Sequence, residues 1–252
     1  MSCVLLTRSA EDNLRLMPRL EQRGIVARSL PLLQIEPQAE TPQQRSMILD
    51  LDRYHAVMAV SPVAARLGLE RLDACWPHPP AGIDLFAVGP GTAAVREEYG
   101  LPVQFPQDGQ DSEALLRLPA WDRLLGLPDL RVLILRGVGG REYFSAAIRE
   151  AGGRVDLLEL YQRAAPPALA QDLAAVAAQG CGGIVILSGQ ALEHWQRAAG
   201  SAWDEQRHWR CWVPGERLAN MAQQKGCTAI VSCRGADDDS VLAAILAHPI
   251  AP

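Results

Sequence analysis

Short apolar runs alternate along this chain with longer segments in which apolar residues recur every three or four positions. Val4-Leu5-Leu6-Thr7 has no polar alternation and predicts a strand buried on both faces. Leu14, Met17 and Leu20 follow at helical spacing behind Ser9, a predicted N-cap with Glu11 and Asp12 in the first turn, and Gly24 closes the helix. Residues 25–33 are predicted extended, broken at Pro31, and Pro37 stops them. After a polar loop at 38–44, Met47, Leu49 and Leu51 predict a helix. The run 54–60 predicts a buried strand that delivers Ser61 as an N-cap and Pro62 as the first residue of a helix reaching about 72. A strand at 84–88 leads through Gly89-Pro90-Gly91-Thr92 into a helix at 93–99, then a short strand at 103–105 and a helix at 112–118.

The pattern then repeats. Val4, Leu5 and Arg8 match Val132, Leu133 and Arg136 at an offset of 128 residues, and Gly24 matches Gly152. Ser61-Pro62 is answered by Ser188-Gly189 at an offset of 127, and Gly89 to Thr92 by Pro214-Gly215-Glu216-Arg217. Repetition at half the chain length, with strands alternating with helices, predicts an α/β fold of two similar open, doubly wound parallel sheets. Ligands of such sheets bind outside the carboxyl ends of the strands. That places the candidate chemistry at 7–9, 61–63, 89–92, 136–141, 188–190, 214–217 and 234–240, on two edges expected to face each other across a cleft.

Composition adds mainly exclusions. The hydrophobic share of 48% and charged share of 21% are those of an ordinary globular protein, and a net charge of −5 gives no sign of nucleic acid or an anionic membrane as partner, while leaving room for a local basic cleft. Six cysteines stand at 3, 75, 181, 211, 227 and 233 without a Cys-x-x-Cys pair or zinc spacing, so free buried thiols in a reducing compartment are expected. A strand close behind Met1, with no leader-like apolar region and no apolar run of bilayer length, points to a cytoplasmic protein. Gly137-Val138-Gly139-Gly140 does not form a dinucleotide-binding pattern, and no phosphate-binding loop motif or nucleophile elbow is present.

Among the turns, Ser61, Thr92 and Ser188 open helices whose free N–H groups suit a carboxylate or phosphate, although plain N-capping explains each taken singly. Arg8, Arg136 and Arg141 are expected to cluster near strand ends, as carboxylate forks or as solvated and ion-paired surface groups. Tyr161, between Leu160 and Gln162 in an extended run, is either sheet packing or a phenol placed to donate a proton. The five histidines have no metal or triad spacing, and Trp195, Trp203, Trp209 and Trp212 read as packing. Asp237-Asp238-Asp239 is the one candidate for an acidic metal pair of a nucleotide-sugar transferase, and more simply a helix cap.

The order of these turns resembles the uroporphyrinogen-III synthase family over nearly the whole chain. The match runs through Thr7-Arg8, Val60-Ser61-Pro62, Val88-Gly89-Pro90-Gly91-Thr92-Ala93, Ser112-Glu113-Ala114-Leu115, Arg136-Gly137, Gly140-Arg141-Glu142 and Leu160-Tyr161-Gln162-Arg163. Departures fall at Ser188-Gly189-Gln190, at 214–218 and at Val63. The resemblance implies two flavodoxin-like domains, one discontinuous (1–34 with 166–252) and one at 38–160, joined by strands at about 35–37 and 161–165. It implies cyclisation of hydroxymethylbilane with inversion of the last ring, without metal or cofactor; a monomer is the default expectation. Tyr161 is then the catalytic candidate. Arg8, Ser61, Pro62, Gly89, Thr92, Arg136, Gly139, Arg141, Ser188 and Gly189 are the substrate-binding candidates. A non-catalytic two-lobed binder of a small polyanion is the alternative.

Overall fold

In a computed structural model that describes residues 3–78, 80–97, 100–108, 112–140 and 142–250, the chain folds as an α/β protein with two five-stranded sheets. The strands are β1 (Cys3–Leu6), β2 (Val26–Ser29), β3 (Gln34–Pro37), β4 (Ala56–Ala59), β5 (Asp84–Ala87), β6 (Arg131–Gly137), β7 (Arg154–Ala164), β8 (Cys181–Val185), β9 (Arg210–Pro214) and β10 (Ala229–Cys233). They form one sheet in the order β10-β9-β8-β1-β2 and another in the order β3-β7-β6-β4-β5. The chain divides accordingly into two compact units, Met1–Gln34 with Ala164–Pro252 and Ile35–Arg163.

The first sheet is parallel in each of its pairings, β2 with β1, β1 with β8, β8 with β9 and β9 with β10. Read within its own unit, it has the flavodoxin-like order 2-1-3-4-5. The second sheet has the same order in permuted form. Its centre, β6, lies between β7 and β4, and β4 is followed by β5, all in parallel. Next to β5 the strand expected at 103–105 is reduced to one parallel bridge, Phe86 with Gln104. Proline at 102 and 106 leaves too few backbone donors there for a longer ladder.

The sequence repeat is therefore real, but its halves are exchanged. β1 and β2 complete a sheet with β8, β9 and β10 of the second half, whereas β6 and β7 of the second half pair with β4 and β5 of the first. Within each strand successive residues feed opposite layers. Cys3 and Leu5 enter one apolar cluster of the first unit, Val4 and Leu6 the other. In the second unit Val57 and Ala59 face one cluster, and Ala56 and Met58 the other. Helices thus cover both faces of each sheet, which is why the strands read as unbroken apolar runs.

Several expectations need correction. The polar stretch 38–44 is not all loop, because a helix starts at Pro42. Thr41 accepts from the Gln44 N–H at 3.2 Å and Gln44 reaches back to the Thr41 N–H at 3.1 Å, a complete capping box. A helix at Pro119–Leu125, unforeseen in the sequence, buries Trp121 against Phe86 and Phe144. Not all cysteines are free thiols, since Cys3 and Cys181 on adjacent strands form a disulfide with Cα atoms 4.4 Å apart. Burial pushes the Cys227 and Cys233 thiols up to about 11. Trp195 packs edge-on to Trp203 and stacks with Trp209 in the core, as the packing reading expects. No helix among the described residues is long and apolar enough to cross a membrane.

Candidate functional site

The strand order reverses between β6 and β4 in the second unit, and between β1 and β8 in the first. Beyond the carboxyl ends of such strands a crevice opens, because the connections leave in opposite directions. In the second unit the residues there are Ser61 after β4, Gly89 after β5, the turn after β6, and Tyr161 on β7.

Tyr161 is held by backbone geometry. The β6–β7 register shifts between Arg136 and Gly137, which brings Gly137 opposite Tyr161, and the Val138 N–H donates to the Tyr161 carbonyl at 2.7 Å. The ring lies where a side chain at 137 would stand: a Cβ there would meet it at 2.6 Å. Only 3% of Tyr161 is exposed, and its hydroxyl shares a 3.0 Å hydrogen bond with the Ser61 hydroxyl. Ser61 also accepts from the Ala64 N–H at 3.1 Å, so it caps the helix Pro62–Asp73 and holds the phenol together. The sequence singled out both residues without showing that they touch across 100 positions.

Arg136 fits the ion-paired reading rather than the open fork. Its buried guanidinium folds back on its own turn, pairing with Glu142 at 3.1 Å and donating to the carbonyls of Gly137 and Gly139. Gly139 has φ +73°, and at Gly140 (φ +106°) a Cβ would press on the guanidinium at 2.9 Å. Hydrogen bonds from Ser145 first, and then from Arg136, hold the Glu142 carboxyl below the usual range. Arg141 lies outside the described residues. Gly89 is buried and its carbonyl takes the N–H groups of Thr92 and Ala93, so the helix Pro90–Glu97 opens on this turn with Thr92 buried in it.

The corresponding edge of the first unit carries Arg8, Ser188 and Gly189. Ser188 caps the helix Gly189–Ala199 through the Ala191 N–H at 3.1 Å, repeating the geometry of Ser61 and Ala64. A Cβ on Gly189 would meet Met221 at 2.6 Å. Arg8, like Arg136, is already engaged: its guanidinium pairs with Asp238 and donates to the Ala236 carbonyl. Arg8 belongs to one unit and Arg136 to the other. Asp237 caps the helix Asp238–Ala247, Asp238 holds Arg8 and Asp239 pairs with Arg19, which leaves no acidic metal pair in this run. Among the described residues no group of three or more His, Cys, Asp or Glu is placed to hold a metal.

One structural residue of this edge went unrecognised in the sequence. Asn13 is 1% exposed and donates to the carbonyls of Leu6 and Arg8 and to the Ser29 hydroxyl, while accepting from the Arg8 N–H. It fixes the turn after β1. The signal was there: Asn13 shares the spacing of Leu16 and Leu20, a polar residue on a face that must be buried.

Two flavodoxin-like units in one chain, with candidate ligand groups at their strand carboxyl ends, define a two-domain α/β protein of the kind that binds small molecules at switch points. A crystal structure of a mutant uroporphyrinogen III synthase from Thermus thermophilus has this fold, with TM-score 0.60 over 98% of both chains at 16% identity. Uroporphyrinogen-III synthetase from Helicobacter pylori 26695 has it too, with TM-score 0.57 over 98% of this chain and 99% of that one at 14% identity. In sequence, the chain is 33% identical over 254 residues to uroporphyrinogen-III synthase of Escherichia coli (strain K12), covering 96% of this chain and 99% of the relative. It is also 33% identical to that of Salmonella typhimurium over 251 residues, with the same coverage. The family profile described as Uroporphyrinogen-III synthase HemD matches residues 15–243. The chain belongs to the uroporphyrinogen-III synthase family, enzymes of tetrapyrrole biosynthesis.

Proposed function

We propose that this protein closes hydroxymethylbilane, a linear polycarboxylate tetrapyrrole, into uroporphyrinogen III, inverting the last pyrrole ring and releasing water. Family membership supports the reaction, and it sets aside a non-catalytic polyanion binder. The substrate carries its own nucleophilic pyrrole carbons. Loss of its terminal hydroxyl as water generates the electrophile, an azafulvene. What the protein supplies is a folded geometry in which the substituted carbon of the last ring attacks, ahead of spontaneous closure without inversion.

The observation that carries the residue assignment is the buried Tyr161 hydroxyl against Ser61 at a switch point. With Ser61 donating to the phenol oxygen, the Tyr161 proton is free for the departing hydroxyl. The helix starts at 61–63, 89–92 and 188–190 hold acetate and propionate groups at the positive ends of their helices. Arg136 and Arg8 act mainly by shaping their turns, because a substrate carboxylate must first displace Glu142 or Asp238. The protein works as a cytoplasmic monomer without metal or organic cofactor.

The test is incubation with enzymatically generated hydroxymethylbilane, oxidation, and separation of type I from type III porphyrins. Type III product is expected to dominate. Tyr161→Phe is expected to lower the cyclisation rate by roughly a hundredfold, the ordinary worth of a placed proton donor. Full rate and full type III fidelity in that variant would refute the assignment.

A further inference from the structure

The chain path leaves one seam in the discontinuous unit. Its opening segment, Met1–Gln34, reaches the remainder, Ala164–Pro252, only by way of Ile35–Arg163, the whole of the other unit. Yet β1 lies inside this unit's sheet, between β8 and β2. The β1–β8 ladder and the apolar layers on its two faces hold the pieces together. Loop-closure entropy works against them, because the loop to be closed is long.

Cys3 and Cys181 cross this seam. They stand opposite each other in the first pair of the β1–β8 ladder, just before its register shifts, and their disulfide spans a sequence separation of 178. The bond therefore closes a loop that contains the whole of the other unit. Both cysteines are buried, in the cluster that holds Leu5 and Ile184. A thiol reagent reaches them only when the amino end of β1 parts from β8, which is a local opening and not global unfolding. Cys211, Cys227 and Cys233 are the free thiols of the same unit. They too are buried, and burial pushes their pKa values up, which makes them poor competitors for an oxidant.

We propose that Cys3 and Cys181 are a reversible redox latch on the opening segment. Oxidised, they lock Met1–Gln34 covalently into its unit; reduced, they leave it held by the ladder and by packing alone. Closure takes two electrons and two protons from the two thiols. A low-molecular-weight disulfide such as oxidised glutathione accepts them. One cysteine thiolate attacks it to give a mixed disulfide and one glutathione thiol, and the other cysteine then displaces the second glutathione thiol. Reduction by two glutathione thiols is the reverse exchange. In a reducing compartment such as the cytoplasm, protein disulfides are characteristically transient and redox-sensing, which is the behaviour assigned here. The latch belongs to the fold and does not depend on the tetrapyrrole reaction.

The test uses the native full chain, equilibrated with oxidised or with reduced glutathione, then denatured, alkylated and digested. A peptide joining Cys3 to Cys181 is expected from the oxidised sample. It is expected to be absent after reduction and to return when oxidised glutathione is restored. Thermal unfolding is followed by tryptophan fluorescence, which reports this unit chiefly through Trp195, Trp203, Trp209 and Trp212. The oxidised protein is expected to unfold at a temperature higher by roughly 5 °C or more, since closing so long a loop is strongly stabilising. Cys3→Ala is expected to abolish that difference and Cys75→Ala to keep it. Unlinked Cys3 and Cys181 after oxidation overturn the proposal, as does a link that reduced glutathione does not open in the native protein. Equal unfolding temperatures of the two wild-type forms, or a difference that persists in Cys3→Ala, are equally fatal. If Cys3→Ala does not fold, Cys181→Ala takes its place with the same expectation.

Discussion

At Gly137 the absence of a side chain is what admits the Tyr161 ring, and that close approach makes a sharp test at the residue scale. Gly137→Ala puts a methyl group 2.6–2.7 Å from the ring, so the phenol must leave Ser61. We expect cyclisation to fall by roughly tenfold or more, since displacement of a reacting group by about an ångström is enough to do so. Gly139→Ala is the contrast. It meets nothing within 4 Å but sits at φ +73°, so it should cost about 1–2 kcal/mol in a denaturant titration without moving Tyr161. Tyr161 and Ser61 were both legible as candidates, one as an aromatic at the end of an extended run and the other as a helix cap. Their hydrogen bond was not legible, because it depends on a register shift between β6 and β7 that no local pattern encodes. Arg8 and Arg136 were legible as arginines at strand ends, but not as engaged ones. The Arg8 partner, Asp238, is 230 positions away.

At the scale of elements, capping and ligand binding make opposite demands on the same helix starts. Ser188→Ala removes the cap on Ala191 and should cost about 1 kcal/mol of stability, read from the denaturation midpoint. Ser188→Asp restores a cap and should recover that stability. If the amides at 188–190 hold a substrate carboxylate, however, the new negative charge repels it, and KM should rise in Ser188→Asp although the helix is intact. An unchanged KM would leave Ser188 a cap and nothing more. The helix Pro42–Leu49 shows how element boundaries escaped the sequence reading. It buries only Ile48, so its apolar period is faint, while the Thr41-x-x-Gln44 box at its start is a purely local signal. Thr41→Ala should likewise cost about 1 kcal/mol.

At the scale of the whole molecule, the two units differ in how the chain supplies them. Ile35–Arg163 is one continuous segment holding four mutually paired parallel strands, whereas the other unit is assembled from both ends of the chain. A fragment of residues 35–163 is therefore expected to unfold cooperatively when followed by circular dichroism, and to be inactive in the porphyrin assay because Arg8 and Ser188 are missing. A non-cooperative transition would mean that the boundary at 163 cuts through structure the unit needs. The sequence by itself determined the alternation of strands and helices, the repeat near 128 residues, and the hydroxyls and glycines that open helices at strand ends. Those are local properties, set by apolar period, caps and turns. The repeat left open which copies share a sheet; the family resemblance implied an exchange, and the tertiary structure decided it. Buried parallel strands are uniform apolar runs, so β1 carries no mark that it pairs with β8 rather than β4. The partners of Tyr161 and Arg8 follow from that choice and from the register it imposes.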